Sequence, residues 1–291
     1  MLTTQAPSTD QAALFDRLLA RAEERDGIAP LDEAAVFALH GRTPAAHALL
    51  MTEDAALAYA NLLPDGTVQG VVDPEHRRQG HARLLLAELD QHVAGLVSPP
   101  TVSVWAHGDL PPARAFLRGQ GLAPVRLLLE LERGLSEPIP TSTPRDERIT
   151  LAGIDPERDA EALLALNAAA FADHPEQGAL DREGLELRFG EPWFDPEDLH
   201  VARRGSELAG FVWMKQQPGQ SETEVYVVAT APAAQGSGIA RALLTRALDR
   251  SRENGARSAT LFVEGDNAPA LGLYERLGFT ERSRHVQYRE A

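Results

Sequence analysis

Two spacings of apolar residues alternate along this chain, one of period two and one of period three to four. In the second half, ITLAGI (149–154) reads as a strand, and DAEALLALNAAAFADH (159–174) carries its apolar residues at helical spacing. DREGLELRFG (181–190) reads as a short helix with Gly190 at its C-cap. LHVARR (199–204) and ELAGFVWMKQ (207–216) predict a hairpin across a Gly-Ser turn. TEVYVVAT (223–230) predicts the next strand and GIARALLTRALDRSREN (238–254) the next helix. ATLFVE (259–264), the helix APALGLYERLG (268–278) and a last strand at RHVQYRE (284–290) complete the half. The order β-α-α-β-β-β-α-β-α-β describes an α/β (α+β) domain. Its sheet is mixed, mainly antiparallel, and turns parallel where helices cross over.

The first half follows the same order, because the chain repeats itself. GTVQGVVDPEHRRQGHA (66–82) lies over EVYVVATAPAAQGSGIA (224–240) at an offset of 158, and HGDLPPARAFLRGQGL (107–122) over EGDNAPALGLYERLGF (264–279) at 157. Two regions in the same order at nearly one offset point to duplication of a whole domain. GLSEPIPTSTPRDER (134–148) has three prolines and no apolar periodicity, which places the seam there. The expected organisation is an N-terminal domain over 1–138, a linker over 139–148 and a C-terminal domain over 149–291.

Composition narrows the function. A length of 291 residues suits two domains of about 150 each. No run approaches the roughly 18 apolar residues of a membrane span, and the start is acidic and polar where a signal peptide is basic then apolar. The expectation is a cytoplasmic, monomeric protein without a membrane partner. The absence of cysteine excludes disulfides, cysteine nucleophiles and thiolate metal sites. A net charge of −15 argues against nucleic acid and is read as solubility. His107 and His174 lack any HxxxH or HxxE company, so no metal is expected.

The chemistry gathers at PAAQGSGIA (232–240), where a β-branched strand meets a helix. A strand that ends in a Gly-rich turn and opens a helix points backbone N–H groups one way, at the positive end of the helix dipole. Such a place binds phosphate. No Lys-Ser/Thr pair follows the glycines and the GxGxxG spacing is absent, so neither a nucleotide-hydrolase loop nor a dinucleotide fold is indicated. Taken alone, the segment can equally be only a turn.

Its company extends the reading. Gln235-x-x-Gly238-x-Ala240 after a Val-rich strand, followed by Asn267-x-x-Ala270-x-x-x-Tyr274-x-x-x-Gly278-Phe279, resembles the GNAT acetyltransferase superfamily. The resemblance covers both halves, as two tandem GNAT-like domains, and is stronger in the second. It implies acetyl-CoA as acetyl donor. The amides of Gln235, Gly236, Ser237, Gly238, Ile239, Ala240 and Arg241 would hold the pyrophosphate, and Val228, Ala229 and Thr230 would pair with the pantetheine arm. A bulge or splay of that strand would open a slot for the thioester. Asn267, with Ala270, would contact the pantetheine, and Asn267 is also a good N-cap for the helix after it.

Acetyl transfer from a thioester to an amine needs a base, an oxyanion donor and an acid for the leaving thiolate. Glu224 is the candidate base; even spacing along the strand puts it on one face with Val228. It can equally be a solvated strand-edge residue. Tyr274 is the candidate acid, at the position where the GNAT pattern places one, and otherwise a core aromatic. The backbone N–H of Val228 is the natural oxyanion donor.

Four further stretches are similar to tandem GNAT enzymes that acetylate the cysteinyl amine of a glucosaminyl-inositol conjugate. They are Asn167-Ala-Ala-Ala-Phe171 running into His174-Pro-Glu-Gln-Gly178, then Gly210-Phe-Val-Trp-Met-Lys215, Glu224-Val-Tyr-Val-Val228 and Leu261-Phe-Val-Glu264. The likeness implies a cysteinyl-glucosaminyl-inositol acceptor held by Glu176 and Lys215, with Glu224 beside it and Glu33 contributed from the first domain. Each of these also reads as a surface ion-pair residue. Phe262 stands where those enzymes usually carry Tyr, which removes the hydroxyl of one acceptor contact that the likeness implies.

In the first copy the 158 offset sets Gly66 under Glu224, and the 157 offset sets Leu117 under Tyr274 and Leu110 under Asn267. The acid-base residues are missing. The loop survives as Arg77-Arg78-Gln79-Gly80-His81-Ala82, and with the strand Gly70, Val71, Val72 and Arg83 it predicts a second acetyl-CoA site, one per domain, that holds cofactor without transfer. Two other readings stay open: an N-acetyltransferase for another small amine or a peptide N-terminus, and a non-enzymatic acyl-CoA sensor.

Overall fold

The computed structural model describes residues 2–137, 139–172 and 180–290. Its contacts divide the chain into two compact units, Met1–Leu128 with Ser283–Ala291, and Leu129–Arg282.

The first half runs β1 (Leu2–Thr3), α1 (Thr9–Asp26), α2 (Glu33–Leu39), β2 (Ala46–Met51), β3 (Ala56–Leu62), β4 (Thr67–Val72), α3 (His81–Ala94), β5 (Ser103–Ala106), α4 (Pro111–Gly119) and β6 (Leu122–Gly134). The second runs β7 (Ile149–Gly153), α5 (Pro156–Ala170), α6 (Arg182–Phe189), β8 (Leu199–Arg204), β9 (Glu207–Lys215), β10 (Glu222–Thr230), α7 (Ile239–Glu253), β11 (Ser258–Glu264), α8 (Ala268–Arg276) and β12 (Thr280–Glu290). The two orders are the same, as the repeat requires. Within each unit the hairpin strands pair antiparallel, while β4 with β5 and β10 with β11 pair in parallel across a crossover helix.

The division differs from the seam expected at 139–148, and strand pairing is the reason. The end of β12 pairs with β5 of the first unit, Val286 opposite Ala106 and Tyr288 opposite Val104. The end of β6 goes the other way, with Leu131, Leu135 and Ile139 packed in the core of the second unit. A boundary read from Pro and Ser content marks where pairing is weak, not which sheet a strand joins.

In each unit the strands carry helices on both faces. In the first unit, α1 and α2 cover Leu49, Tyr59 and Val71 on one face, and α3 and α4 cover Ala60, Val68 and Val104 on the other. In the second unit, α5 and α6 bury Phe211, Trp213, Val227 and Ala229, while α7 and α8 bury Val212, Met214, Val225 and Leu261. Side-chain caps set the helix starts. Ser8 and Gln11 form a capping box on α1, and Asp155, Asp181 and Asn267 accept from the first turns of α5, α6 and α8. The helices α3, α4 and α7 lack such a bond, and α3 and α7 begin at the left-handed residues Gly80 and Gly238.

Candidate active site

The two glycine-led helix starts are the two loops of the repeat. After β10 the backbone makes a one-turn 3-10 helix at Pro232–Ala234, extends at Gln235, turns left-handed at Gly236 (φ 73°) and Gly238 (φ 83°), and enters α7. After β4 it does the same, with the 3-10 turn at Pro74–His76, extension at Arg77, and left-handed residues Arg78 (φ 61°) and Gly80 (φ 87°) before α3. The first amides of α7 and α3 therefore face outward with no partner inside the helix, the arrangement that receives an anion. Arg78 holds a left-handed conformation that costs a non-glycine residue about 1–2 kcal/mol, so the first loop keeps the nest geometry against local preference.

Arg side chains around the first loop are not equally available for phosphate. Arg77 is held by Asp26 through two bonds of 2.7 and 2.9 Å. Arg78, Gln79, Gly80 and Arg83 are exposed, and His81 and Ala82 half-buried. At the second loop the linker takes part: the backbone N–H of Arg145 donates to the Ser237 carbonyl at 2.8 Å, and its guanidinium donates to the Gly236 carbonyl at 3.3 Å. A segment expected to be a plain connection thus braces the loop.

The slot lies beside that loop. The pairing of β10 with β9 shifts register between Val225 and Val227, leaving Tyr226 as the extra residue of a bulge. The parallel pairing of β10 with β11 spans Glu222 to Val225, opposite Ser258 to Leu261. Beyond Val225 the two strands part, which leaves Val228, Ala229 and Thr230 on an edge open to an extended ligand arm.

The bulge corrects one expectation: Glu224 and Val228 do not share a face. Val225 and Val228 both pack toward α7 and α8, whereas Tyr226, Val227 and Ala229 pack toward α5 and α6. One extra residue inverts the alternation. Glu224, opposite Lys215 in the ladder, lies on the α5–α6 face with Tyr226. The bulge also changes the counterpart of Glu224 in the first unit. Glu224 pairs with Thr260 and Thr67 with Ser103, at the same step of equivalent ladders, so Thr67 and not Gly66 takes its place. The first unit still lacks a carboxylate there.

Tyr274 sits on α8, buried toward α7 and α8, edge-on to Phe279 at 5.9 Å. Burial pushes its phenol up to about 12, which keeps it protonated. Asn267 performs the capping role, its side chain accepting from the Ala270 N–H at 3.2 Å. Phe262 is 44% exposed on β11. Glu33 opens α2 in the first unit, next to its N-cap Asp32. Glu176 lies outside the described residues.

Several residues around Lys215 escaped the sequence reading. Its ammonium stands 5.1 Å from the ring centre of Trp193 and 5.0 Å from that of Tyr226. The Tyr226 hydroxyl accepts from Arg188 Nε at 2.7 Å. One signal was in plain view: of the 28 Lys and Arg residues, Lys215 is the single lysine. In the first unit the equivalent region holds a different polar chain. His107 Nε2 lies 2.9 Å from Gln69 Oε1, which also accepts from the Asp32 N–H, and His107 Nδ1 lies 3.0 Å from His285. Burial lowers His107 to about 3 and His285 to about 4, so both imidazoles stay neutral.

Comparison with known proteins decides the family. Residues 163–279 match the Acetyltransferase (GNAT) family. A mycothiol acetyltransferase of Brachybacterium faecium is 42% identical, over 99% of this chain and 98% of its own length. This chain belongs to the mycothiol acetyltransferase family. A mycothiol acetyltransferase of Thermomonospora curvata is 43% identical over 94% of this chain and 93% of its own. Among solved structures, a GCN5-related N-acetyltransferase from Sphaerobacter thermophilus has a TM-score of 0.73 at 24% identity, covering 99% of this chain and 95% of that one. A tandem GNAT protein of the clavulanic acid biosynthesis pathway has a TM-score of 0.72 at 18% identity, covering 99% and 97%. Those two likenesses bear on the fold alone. As a mycothiol acetyltransferase family member, the chain is an enzyme of acetyl transfer. No helix among the described residues is long and apolar enough to cross a membrane, and no group of three or more His, Asp or Glu side chains gathers there as for a metal.

Proposed function

We propose that this enzyme moves the acetyl group of acetyl-CoA to the cysteinyl amine of the cysteinyl-glucosaminyl-inositol conjugate, desacetylmycothiol, the last step of mycothiol biosynthesis. The observation that carries the reading is the bulged end of β10, which sets Glu224 beside Lys215 next to the open strand edge and the phosphate loop.

In the second unit the amides of residues 235–241 hold the pyrophosphate, and the β10 edge from Val228 to Thr230 holds the pantetheine, with Asn267 and Ala270 at its flank. Glu224, directly or through a water, takes the proton from the acceptor ammonium. The amine nitrogen then bonds to the thioester carbon and the carbon–sulfur bond breaks. The Val228 N–H stabilises charge on the carbonyl oxygen, Tyr274 gives its proton to the sulfur, and the proton shed by the new amide nitrogen restores the phenol through solvent. Burial that raises the phenol also raises a thiolate in the same apolar surroundings, so the two acidities stay matched. Lys215 and Glu176 bind the acceptor's hydroxyls, and Phe262 offers a ring without the hydroxyl contact.

The first unit holds a second acetyl-CoA through residues 70–72 and 78–83 without transferring from it, because Thr67 and Leu117 replace the base and acid. Use of acetyl-CoA and the lack of cysteine support a cytoplasmic place of work. The test is Glu224→Gln, which keeps shape and removes the base: turnover is lost while calorimetry still shows acetyl-CoA binding. Turnover within a few-fold of wild type refutes Glu224 as the base.

A further inference from the structure

Lys215 is the one lysine in a chain that otherwise uses arginine for every fixed cation, 27 times. Where arginine satisfies solubility and ion pairing throughout, an ammonium at a single position marks a site that a guanidinium does not fit.

The surroundings of Lys215 give the physical reason. The rings of Trp193 and Tyr226 lie 5.2 Å apart at 61° to each other. The ammonium is nearly equidistant from both centres, at 5.1 and 5.0 Å. A compact tetrahedral cation can face two inclined rings at once. A planar guanidinium stacks parallel to one ring and, at this inclination, stands off the other.

The cradle is itself fixed. Tyr226 is the extra residue of the β10 bulge, so its ring lies on the face that carries Glu224 and Lys215. Its hydroxyl is held by Arg188, whose Nη1 donates to the Gly184 carbonyl at 2.9 Å on α6. Trp193 is 4% exposed and packs on Trp213 at 5.7 Å, and Trp213 meets Tyr226 at 88°. Each component is buried or pinned, and Lys215 is half-buried.

We propose that Trp193 and Tyr226 are positioning residues that hold the Lys215 ammonium in place for the hydroxyl oxygens of a polyol acceptor, and that the site requires lysine as such. This rests on Lys215 binding the acceptor, as in the proposed function. Arg188 acts one step further out, by fixing the Tyr226 ring.

The test is steady-state kinetics with acetyl-CoA and the cysteinyl-glucosaminyl-inositol amine, with thermal melting as a check on folding. Tyr226→Leu and Trp193→Leu each raise the acceptor KM by about three- to thirtyfold, the worth of one partly desolvated cation–π contact. The acetyl-CoA KM and kcat stay within about twofold, and Tyr226→Phe, which keeps the ring but loses its tether to Arg188, raises the acceptor KM by less than Tyr226→Leu does. Lys215→Arg behaves like Lys215→Met. The double variant Tyr226→Leu with Lys215→Met is no worse than Lys215→Met alone, because the ring acts only through the ammonium.

Rescue by Lys215→Arg, or additive losses in the double variant, overturns the proposal while leaving the acetyltransferase reading intact. A wild-type enzyme that transfers nothing to this amine overturns the acceptor reading and this inference with it. If Tyr226→Leu does not fold, the comparison of Lys215→Arg with Lys215→Met still decides.

Discussion

Gly210 on β9 offers a direct handle on the cofactor loop. A Cβ added there would stand 2.7 Å from Ile239 Cγ2 and 2.9 Å from the Ala229 carbonyl oxygen. Ordinary contacts begin near 3.4 Å, so Gly210→Ala demands a shift of roughly half an ångström or more from its neighbours. The Ala229 oxygen belongs to a central strand and yields little, so Ile239 moves. Ile239 is the first residue of α7, and its displacement tilts the amides of residues 239–241 that we propose receive the pyrophosphate. Overpacking of this kind costs about 1–3 kcal/mol of stability. If about 1.4 kcal/mol of it reaches the cofactor site, acetyl-CoA binding weakens tenfold. The assay is acetyl-CoA KM at saturating acceptor, with melting temperature alongside and Gly153→Ala as control, since a Cβ at Gly153 meets nothing within 4 Å. A lowered melting temperature with an unchanged acetyl-CoA KM refutes the link between the start of α7 and the cofactor.

Two further outcomes follow from titrating groups. Tyr274→Phe lowers kcat by about a hundredfold or more with little change in acetyl-CoA KM; because burial raises the phenol to about 12, the wild-type kcat shows no loss from Tyr274 between pH 8 and 10, and an alkaline limb there that vanishes in Tyr274→Phe contradicts its role as acid. His107 and His285 titrate near 3 and 4 when folded and near 6.5 when unfolded, so the unfolded chain binds more protons between those values. Stability falls as pH drops through that window, by up to about 1.4 kcal/mol per unit for each imidazole. His285→Gln, melted from pH 7 to 4.5, shows a flatter slope than wild type, and equal slopes refute the assignment.

The alternation of apolar spacings was enough to read the order of strands and helices, because each element buries one face and that face sets the period. The two loops were legible for a related reason: Gly238 and Gly80 mark left-handed turns that few other residues adopt, although Arg78 shows that the rule bends. A bulge or splay of β10 was implied by the family resemblance, but its position and its effect on Glu224 were not legible in the residues. Val225-Tyr226-Val227-Val228 looks like an unbroken strand, yet one extra residue turns Glu224 away from the face of Val228 and makes Thr67 its counterpart. The exchange of terminal strands between the units escaped too, since RHVQYRE carries no mark of the sheet it joins. The lone lysine was countable from the start, but its meaning needed the two rings around it.

The most direct test of the central claim is a product assay with acetyl-CoA and a panel of amines that includes cysteinyl-glucosaminyl-inositol, other small amines and peptide N-termini. The account predicts that the inositol conjugate is N-acetylated with a kcat/KM at least about a hundredfold above every other amine, the discrimination a site built to bond hydroxyls can reach. Comparable or better transfer to another amine, or none to the conjugate, would contradict it.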